Sequence, residues 1–472
     1  METTPATDPP ASRYPDLPSR SPWIAQMAPD GPARPLTGPL SADVVIVGAG
    51  IAGVATAFFT LRSTSKRVVL LERDRVARGA TGRNAGQLTT YFERPLVDIA
   101  DEFGDEAAVA GQRSFDDAHD LLDLMAAETG SDVRIERFDG HMGMRNLDHV
   151  TVHLRNALVR QRGGLRLETC LVSEEAEFLD EIPGQFAGLY TVVPQARIRE
   201  LLETTDDRYR AVLSDRKGCA NAGLFVQQAL AALERRYPDR LIYADGTLVD
   251  RVVVGREGVA VHALGHVVTA SHVVLCTNGF TDHVVTDDDG TPIDLDPRQR
   301  VVGTIGYMAA FFEDEPRAPT ALSYIRNATI GGEVPYVYVT RRTYDRPDCT
   351  VTLTCMGGPE WPIEGPWVRD APFPGSLLDT MDDEIRPFAQ PARSPGRTYD
   401  FQWHGLMGYM DGRVRVIGAH PDRPALLYNL GCNGVGFLPS IHGGREIARR
   451  LAGERLPPGI FDPRDAGGLL EV

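Results

Sequence analysis

The sequence predicts a mixed architecture, α/β plus α+β, and three observations predict it. Asp43–Val47 is a nearly continuous apolar run, as in a strand buried on both faces of a parallel sheet. Gly48-Ala49-Gly50-Ile51-Ala52-Gly53 follows at once, with the glycine spacing of a phosphate-binding turn that opens a helix. Far downstream, strand-like alternation recurs at 247–262, 267–276, 334–340 and 350–356, mixed with long helical stretches. The reading is a Rossmann-like nucleotide-binding domain, discontinuous in the chain, with antiparallel-sheet material forming a second domain.

The first unit runs strand 43–47, helix from about Ile51 to Leu61, strand Lys66–Glu72: a βαβ unit. Gly48 permits the tight turn, Gly50 lets backbone approach a pyrophosphate, and Gly53 permits close packing of helix on strand. The helix N-terminus offers free N–H groups and a positive dipole end to phosphate. Glu72 closes the second strand, where a carboxylate accepts hydrogen bonds from ribose hydroxyls; such an acid suits the ribose of FAD or of NAD. Residues 105–127, 219–236 and 440–453 read as helices, and the Pro-rich stretches 359–374 and 387–395 as loops. Residues 1–40 form an extension rich in Pro, Ser, Thr and Asp, its first ~20 residues reading as disordered. Ser21-Pro22-Trp23-Ile24 is the first stretch able to dock, on the surface of the fold.

A chain of 472 residues is long enough for two or three domains. Its net charge of −16 argues against nucleic acid and an anionic membrane surface, which both need a basic patch. The six cysteines include no C-x-x-C pair, so neither a disulfide framework nor a metal site is expected, and a reducing cytoplasm fits. The N-terminus has no secretory pattern. His149 and His153 lack a carboxylate to complete a metal site and read as surface.

Three further segments separate FAD from NAD. Gly79-Ala80-Thr81-Gly82-Arg83-Asn84-Ala85-Gly86-Gln87 resembles the segment after the second strand in the D-amino-acid oxidase superfamily of flavoenzymes. The branch it resembles most holds glycine oxidase, sarcosine oxidase and gamma-glutamylputrescine oxidase. Val273-Val274-Leu275-Cys276-Thr277-Asn278-Gly279 resembles that superfamily's later FAD-binding strand, and Gly431-Cys432-Asn433-Gly434-Val435-Gly436-Phe437 its C-terminal flavin motif. Order and spacing agree over about residues 21–455. The resemblance implies FAD, held by Gly48, Gly50, Ile51, Ala52, Gly53, Glu72, Arg73, Thr81, Arg83, Asn84, Ala85, Gly86, Gln87, Val249, Thr277, Asn278, Gly279, Trp403, Gly405, Gly434, Val435, Gly436 and Phe437. The family commonly has His in the position of Val435, and a function resting on that His is missing here.

It implies a domain division as well: an FAD-binding domain of 41–115, 219–290 and 400–472, and a substrate-binding domain of 116–218 and 291–399. No second G-x-G-x-x-G follows, so reduction by NAD(P)H through a second nucleotide domain is disfavoured. The expected reaction is oxidation of a C–N bond in a small amine, N-alkyl amino acid or amino acid to an imine, by hydride transfer to the flavin. Molecular oxygen or another electron acceptor then takes the electrons. A flavin monooxygenase and a flavin-binding protein without turnover are the alternatives.

In the resembling oxidases a strand at Pro335–Arg342 contributes an aromatic residue and an arginine that clamps a substrate carboxylate. Period two puts Tyr336, Tyr338, Thr340 and Arg342 on one face. Arg342 is the expected clamp with Tyr338 beside it, and Arg341 takes its place if the register slips by one. Phe401–Tyr409 resembles the segment passing the flavin ring, where some members attach flavin through cysteine. None lies in this stretch, and His404 near the equivalent place is expected to line the pocket, the alternatives being a hydrogen-bonded loop histidine or a covalent attachment point for flavin.

Overall fold

The computed structural model describes residues 12–326, 336–362, 365–389 and 398–464, arranged around two large sheets. The first sheet is built on Leu40–Val47, parallel to His266–Leu275 on one side and Val68–Leu71 on the other, with Val45 opposite both Val273 and Val69. Leu241–Ala244 extends one edge in parallel. On the far side, His266–Leu275 pairs antiparallel with Val259–Ala263 along its first half and parallel with Leu426–Leu430 along its second. Val44, Val45 and Ile46 are fully buried, as the continuous apolar run predicts. The helix Ile51–Ser63 packs on this sheet beside the helices Ala222–Arg236 and Phe437–Leu451, and its Val54, Ala57 and Phe58 share a core with Phe225 and Leu438.

The second sheet runs in the order 401–409, 302–312, 350–362, 336–345, 320–325, 136–144, 211–219, 169–173, 191–193. It is mostly antiparallel; two of its pairings, 320–325 with 136–144 and 169–173 with 191–193, are parallel. Gln87–Leu88 joins it by pairing with Cys219 and Gly218, so the segment after the glycine turn crosses from one sheet to the other.

Several boundaries differ from the sequence reading. Phe401–Tyr409 pairs with Val302–Phe312 and so belongs to the second sheet rather than to the sheet that carries the glycine turn. The helix Ala118–Thr129, expected in the second domain, buries Leu122 and Met125 in the core that also holds Phe225 and Val226 beside the first sheet. The predicted helix 105–127 is two helices that meet at Asp117. Residues 359–362, read as loop, continue the strand Thr350–Pro362; 334–335, 363–364 and 390–395 lie outside the described residues.

Residues 12–20, read as disordered, are anchored. Leu17 bridges Phe373, Arg20 bridges Gln402, and Arg13 pairs with Asp379 at 2.8 Å. Composition could not reveal this, since the partners are remote in sequence. Trp23, expected on the surface, is fully buried. Its ring lies edge-on to Trp403 at 6.3 Å, and its Nε1–H donates to the Asn84 carbonyl at 2.5 Å.

Candidate active site

One cavity of about 480 Å³ is lined from both sheets. At its nucleotide end the chain leaves the Leu40–Val47 strand through Gly48, at φ 104°. A Cβ on Gly48 would stand 2.6 Å from the Cys276 carbonyl oxygen, and one on Gly53 would stand 1.8 Å from the Gly48 carbonyl oxygen. Strand, turn and helix therefore touch backbone to backbone. The helix opens at Ile51, so its first-turn N–H groups have no acceptor within the helix. Two neighbouring donors are tied down: Ala49 N–H donates to Glu72 Oε2 at 2.8 Å, and Ile51 N–H to Thr81 Oγ1 at 2.9 Å. Glu72 also accepts the Asp74 N–H at 2.9 Å. Each of its oxygens keeps a further lone pair, though burial raises its carboxyl above the ordinary range.

Most of the predicted cofactor residues line this cavity: Gly48, Gly50, Ile51, Ala52, Glu72, Arg73, Thr81, Arg83, Asn84, Ala85, Gln87, Val249, Thr277, Asn278, Gly405, Gly434, Val435, Gly436 and Phe437. Four do not line it and instead pack behind it. Gly53 abuts the turn, Gly86 faces the Trp23 ring, Gly279 faces the Met407 carbonyl, and Trp403 is fully buried.

Arg415 was not anticipated. It lines the cavity with Asn429 and Ser440 and is 4% exposed. Its Nη2 donates to Asn429 Oδ1 at 2.9 Å and to Ser440 Oγ at 3.2 Å, while Nε and Nη1 have no partner. A buried guanidinium with two idle donors beside a glycine turn fits a phosphate-bearing cofactor. Burial lowers its basicity, yet it keeps the charge at neutral pH. Its sequence signal is weak, because in Arg413-Val414-Arg415-Val416 the alternation cannot tell which arginine is covered.

The other end of the cavity is a chamber of tyrosines and carboxylates. Tyr338 faces it, its ring lying over Gly357 of the next strand, where a Cβ would come within 2.4 Å. Tyr336 Oη donates to Glu93 Oε1 at 2.8 Å, and Tyr91 also hydrogen-bonds to Glu93. Tyr409 Oη donates to Glu360 Oε2 at 3.0 Å. Burial pushes both carboxyls up. Glu360 reaches about 7, helped by the neighbouring Glu93. Glu93 also lies against the Gly434 turn, where a Cβ would stand 3.1 Å from Oε1 and 2.8 Å from Tyr409 Oη. Neither glutamate had been singled out in the sequence, because each sits in a segment with no motif.

The arginines of the Tyr336–Asp345 strand do not line the cavity. Arg341 donates to both oxygens of Glu203, at 2.9 and 2.6 Å. Arg342 stacks on the Trp23 ring at 4.8 Å and donates from Nε to the Thr343 carbonyl. Thr340, between Tyr338 and Arg342, accepts from Gln87 Nε2 at 2.6 Å. Nor does His404 line the cavity. Trp367 Nε1 can only donate, so Nδ1 of His404 accepts at 3.0 Å, and Nε2–H is left to donate to the Ala371 carbonyl at 2.9 Å. Both ring nitrogens are thus engaged, and burial keeps the imidazole neutral. Trp367 itself lines the cavity, under the Arg83 guanidinium at 5.3 Å. No helix among the described residues is long and apolar enough to cross a membrane.

Solved structures with this fold include glycine oxidase from Geobacillus kaustophilus, with a TM-score of 0.63 at 16% identity over 90% of this chain and 97% of that one. Among curated proteins, the probable oxidoreductase OrdL of Haemophilus influenzae is 38% identical over 74 residues, 16% of this chain. Gamma-glutamylputrescine oxidoreductase of Escherichia coli is 36% identical over 78 residues, again 16% of this chain. These alignments span only 17% and 18% of the two relatives' own lengths. The family model described as FAD dependent oxidoreductase (DAO) matches residues 43–450, and the chain belongs to that family, as an enzyme whose cofactor is FAD.

Proposed function

We propose that the enzyme oxidises a C–N bond of a small amine or amino acid to an imine, which water then hydrolyses. The observation that carries this reading is the continuity of the cavity. The groove at the glycine turn and the Tyr336–Tyr338 chamber are one space, so a small molecule in the chamber abuts the cofactor. The name of the Escherichia coli relative, a gamma-glutamylputrescine oxidoreductase, adds an amine-bearing substrate. When bound, FAD supplies the two-electron acceptor for a hydride. The chain does the rest. The chamber holds the substrate carbon in place, and its enclosing tyrosines exclude water. The amine must shed one proton, to bulk solvent as it enters the site, before hydride leaves its carbon. The products of this half-reaction are a protonated imine, the proton shed from the amine and a hydride equivalent (one proton and two electrons) on the cofactor, and oxygen or another acceptor removes those electrons.

Anaerobic mixing of the holoenzyme with a panel of amines, N-methyl amino acids and amino acids tests the reading. Loss of the visible flavin band with at least one member is expected. Rapid bleaching by NADPH, with none by the panel, would replace it with a nicotinamide-driven reaction.

Arg342 has a different expected role from a carboxylate clamp. Arg342→Met should cost about 1–2 kcal/mol of stability through loss of the stacked cation on Trp23. Denaturant unfolding reads that loss, and the substrate concentration giving half-maximal flavin reduction should not move. A rise in that concentration of tenfold or more would restore Arg342 to the substrate site.

A further inference from the structure

We infer that the Glu93–Glu360 chamber recognises a second, non-reacting ammonium, so that the preferred substrate is an α,ω-diamine or a longer polyamine rather than an amino acid. The inference rests on the proposed C–N oxidation and adds what selects the substrate.

The chamber has a strong electrostatic bias and no internal counter-charge. Glu93 and Glu360 both line the cavity, each showing part of its surface to it while enclosed by protein. Their hydrogen bonds come from phenols, Tyr336 and Tyr91 to Glu93 and Tyr409 to Glu360. Among the described residues no lysine or arginine forms an ion pair with either carboxylate. Arg413 and Lys217 act on them only from a distance. Two carboxylates held close together in a desolvated site are stable only if a proton or a cation joins them.

The walls favour a cation over a proton. Tyr336 and Tyr338 stand with ring centroids 6.1 Å apart and line the cavity together with Tyr91, while Tyr409 contributes its hydroxyl to Glu360. Aromatic faces attract alkylammonium groups, and the aliphatic carbons beside the charge pack on the same rings. Meanwhile, among the described residues, neither arginine of the Tyr336–Asp345 strand reaches the chamber to receive a carboxylate. Arg341 is spent on Glu203, and Arg342 is stacked on Trp23. Five arginines line the cavity. Arg73 pairs with Asp282, Arg78 with Asp30 and Arg369 with Asp74, while Arg83 donates to the Arg78 carbonyl and lies over the Trp367 ring, and Arg415 is held by Asn429 and Ser440. A substrate carboxylate in the chamber would face two glutamates, a like-charge contact that rejects it.

The test compares three ligands of one length on the wild-type holoenzyme: putrescine, n-butylamine and γ-aminobutyrate. Anaerobic rapid mixing gives the concentration for half-maximal flavin reduction, and calorimetric titration of each ligand gives binding without turnover. Putrescine should bind roughly a hundredfold more tightly than n-butylamine, the size of one charged hydrogen-bonded contact, and γ-aminobutyrate more weakly than either. Glu93→Gln and Glu360→Gln, each close to isosteric, should bring putrescine up towards the n-butylamine value. Tighter binding of γ-aminobutyrate than of putrescine would overturn the inference, as would a diamine preference that survives both substitutions. Its failure is separable from failure of the proposed reaction. Amino acids that bleach the flavin while diamines do not bind would leave C–N oxidation standing without the cage. Diamines that bind selectively while nothing bleaches the flavin would support the cage and remove the reaction.

Discussion

Replacing Gly53 with alanine is expected to yield a protein that retains no FAD. The added Cβ would lie 1.8 Å from the carbonyl oxygen of Gly48 and 3.0 Å from its carbonyl carbon. Overpacking a core usually costs about 1–3 kcal/mol because side chains shift to accept it. Here the obstacle is backbone, at the one turn that joins the central strand to the Ile51–Ser63 helix. Relief requires Gly48 to move, and Gly48 is itself pinned, since a Cβ on it would meet the Cys276 carbonyl oxygen at 2.6 Å. The helix must swing away from the strand, and the N–H groups that receive phosphate leave with it. The ratio of flavin to protein absorbance after purification checks the loss, and thermal unfolding with and without added FAD shows whether the fold survives it. A Gly53→Ala protein with full flavin content and wild-type unfolding temperature would refute this account of the turn.

Arg415→Met has the second large effect, and it acts in opposite directions on two quantities. With FAD absent, Arg415 is a buried cation with two nitrogens unpartnered, an arrangement that costs stability. Methionine has a similar reach and no charge, so the apoprotein should be as stable as wild type or more so. FAD affinity should fall by roughly a hundredfold, since charged hydrogen bonds are worth about 1.5–3 kcal/mol. Titration of apoprotein with FAD, followed by flavin fluorescence, reads the affinity, and denaturant unfolding of the apoprotein reads the stability. Loss of both together would mean that Arg415 merely holds up the fold through Asn429 and Ser440. Unchanged affinity would remove it from the cofactor site.

What was legible in the sequence was legible because backbone geometry dictates residue type. The glycine turn, the buried strand and the segment Gly79–Gln87 each need small residues or uninterrupted apolar ones, and those leave marks at fixed spacing. The chamber left no such mark. Glu93 sits in a connecting segment, and Glu360 on a strand whose register against Gly306 brings it to the cavity. Only tertiary pairing puts the two glutamates together. The strand Tyr336–Asp345 teaches the limit of periodicity. Alternation correctly puts Tyr338 and Arg342 on one face, but at about 3.3 Å per residue they stand roughly 13 Å apart. Over that length the face passes from the chamber to the Trp23 packing, so sharing a face does not mean sharing a site. The anchoring of residues 12–20 is invisible for a related reason, as their composition says nothing of the strand edge that receives them.

That anchoring has a consequence for how the molecule is made. Gln402 donates to the Pro18 carbonyl across a separation of 384 positions, and Arg20 bridges the same residue. Contacts that distant in sequence pay their loop-closure entropy late and slow folding. On the ribosome, residues 12–23 emerge before their partner and must wait until the strand Phe401–Tyr409 has been synthesised. Closure of this part of the enzyme therefore waits on a partner strand made several hundred residues after the segment it receives.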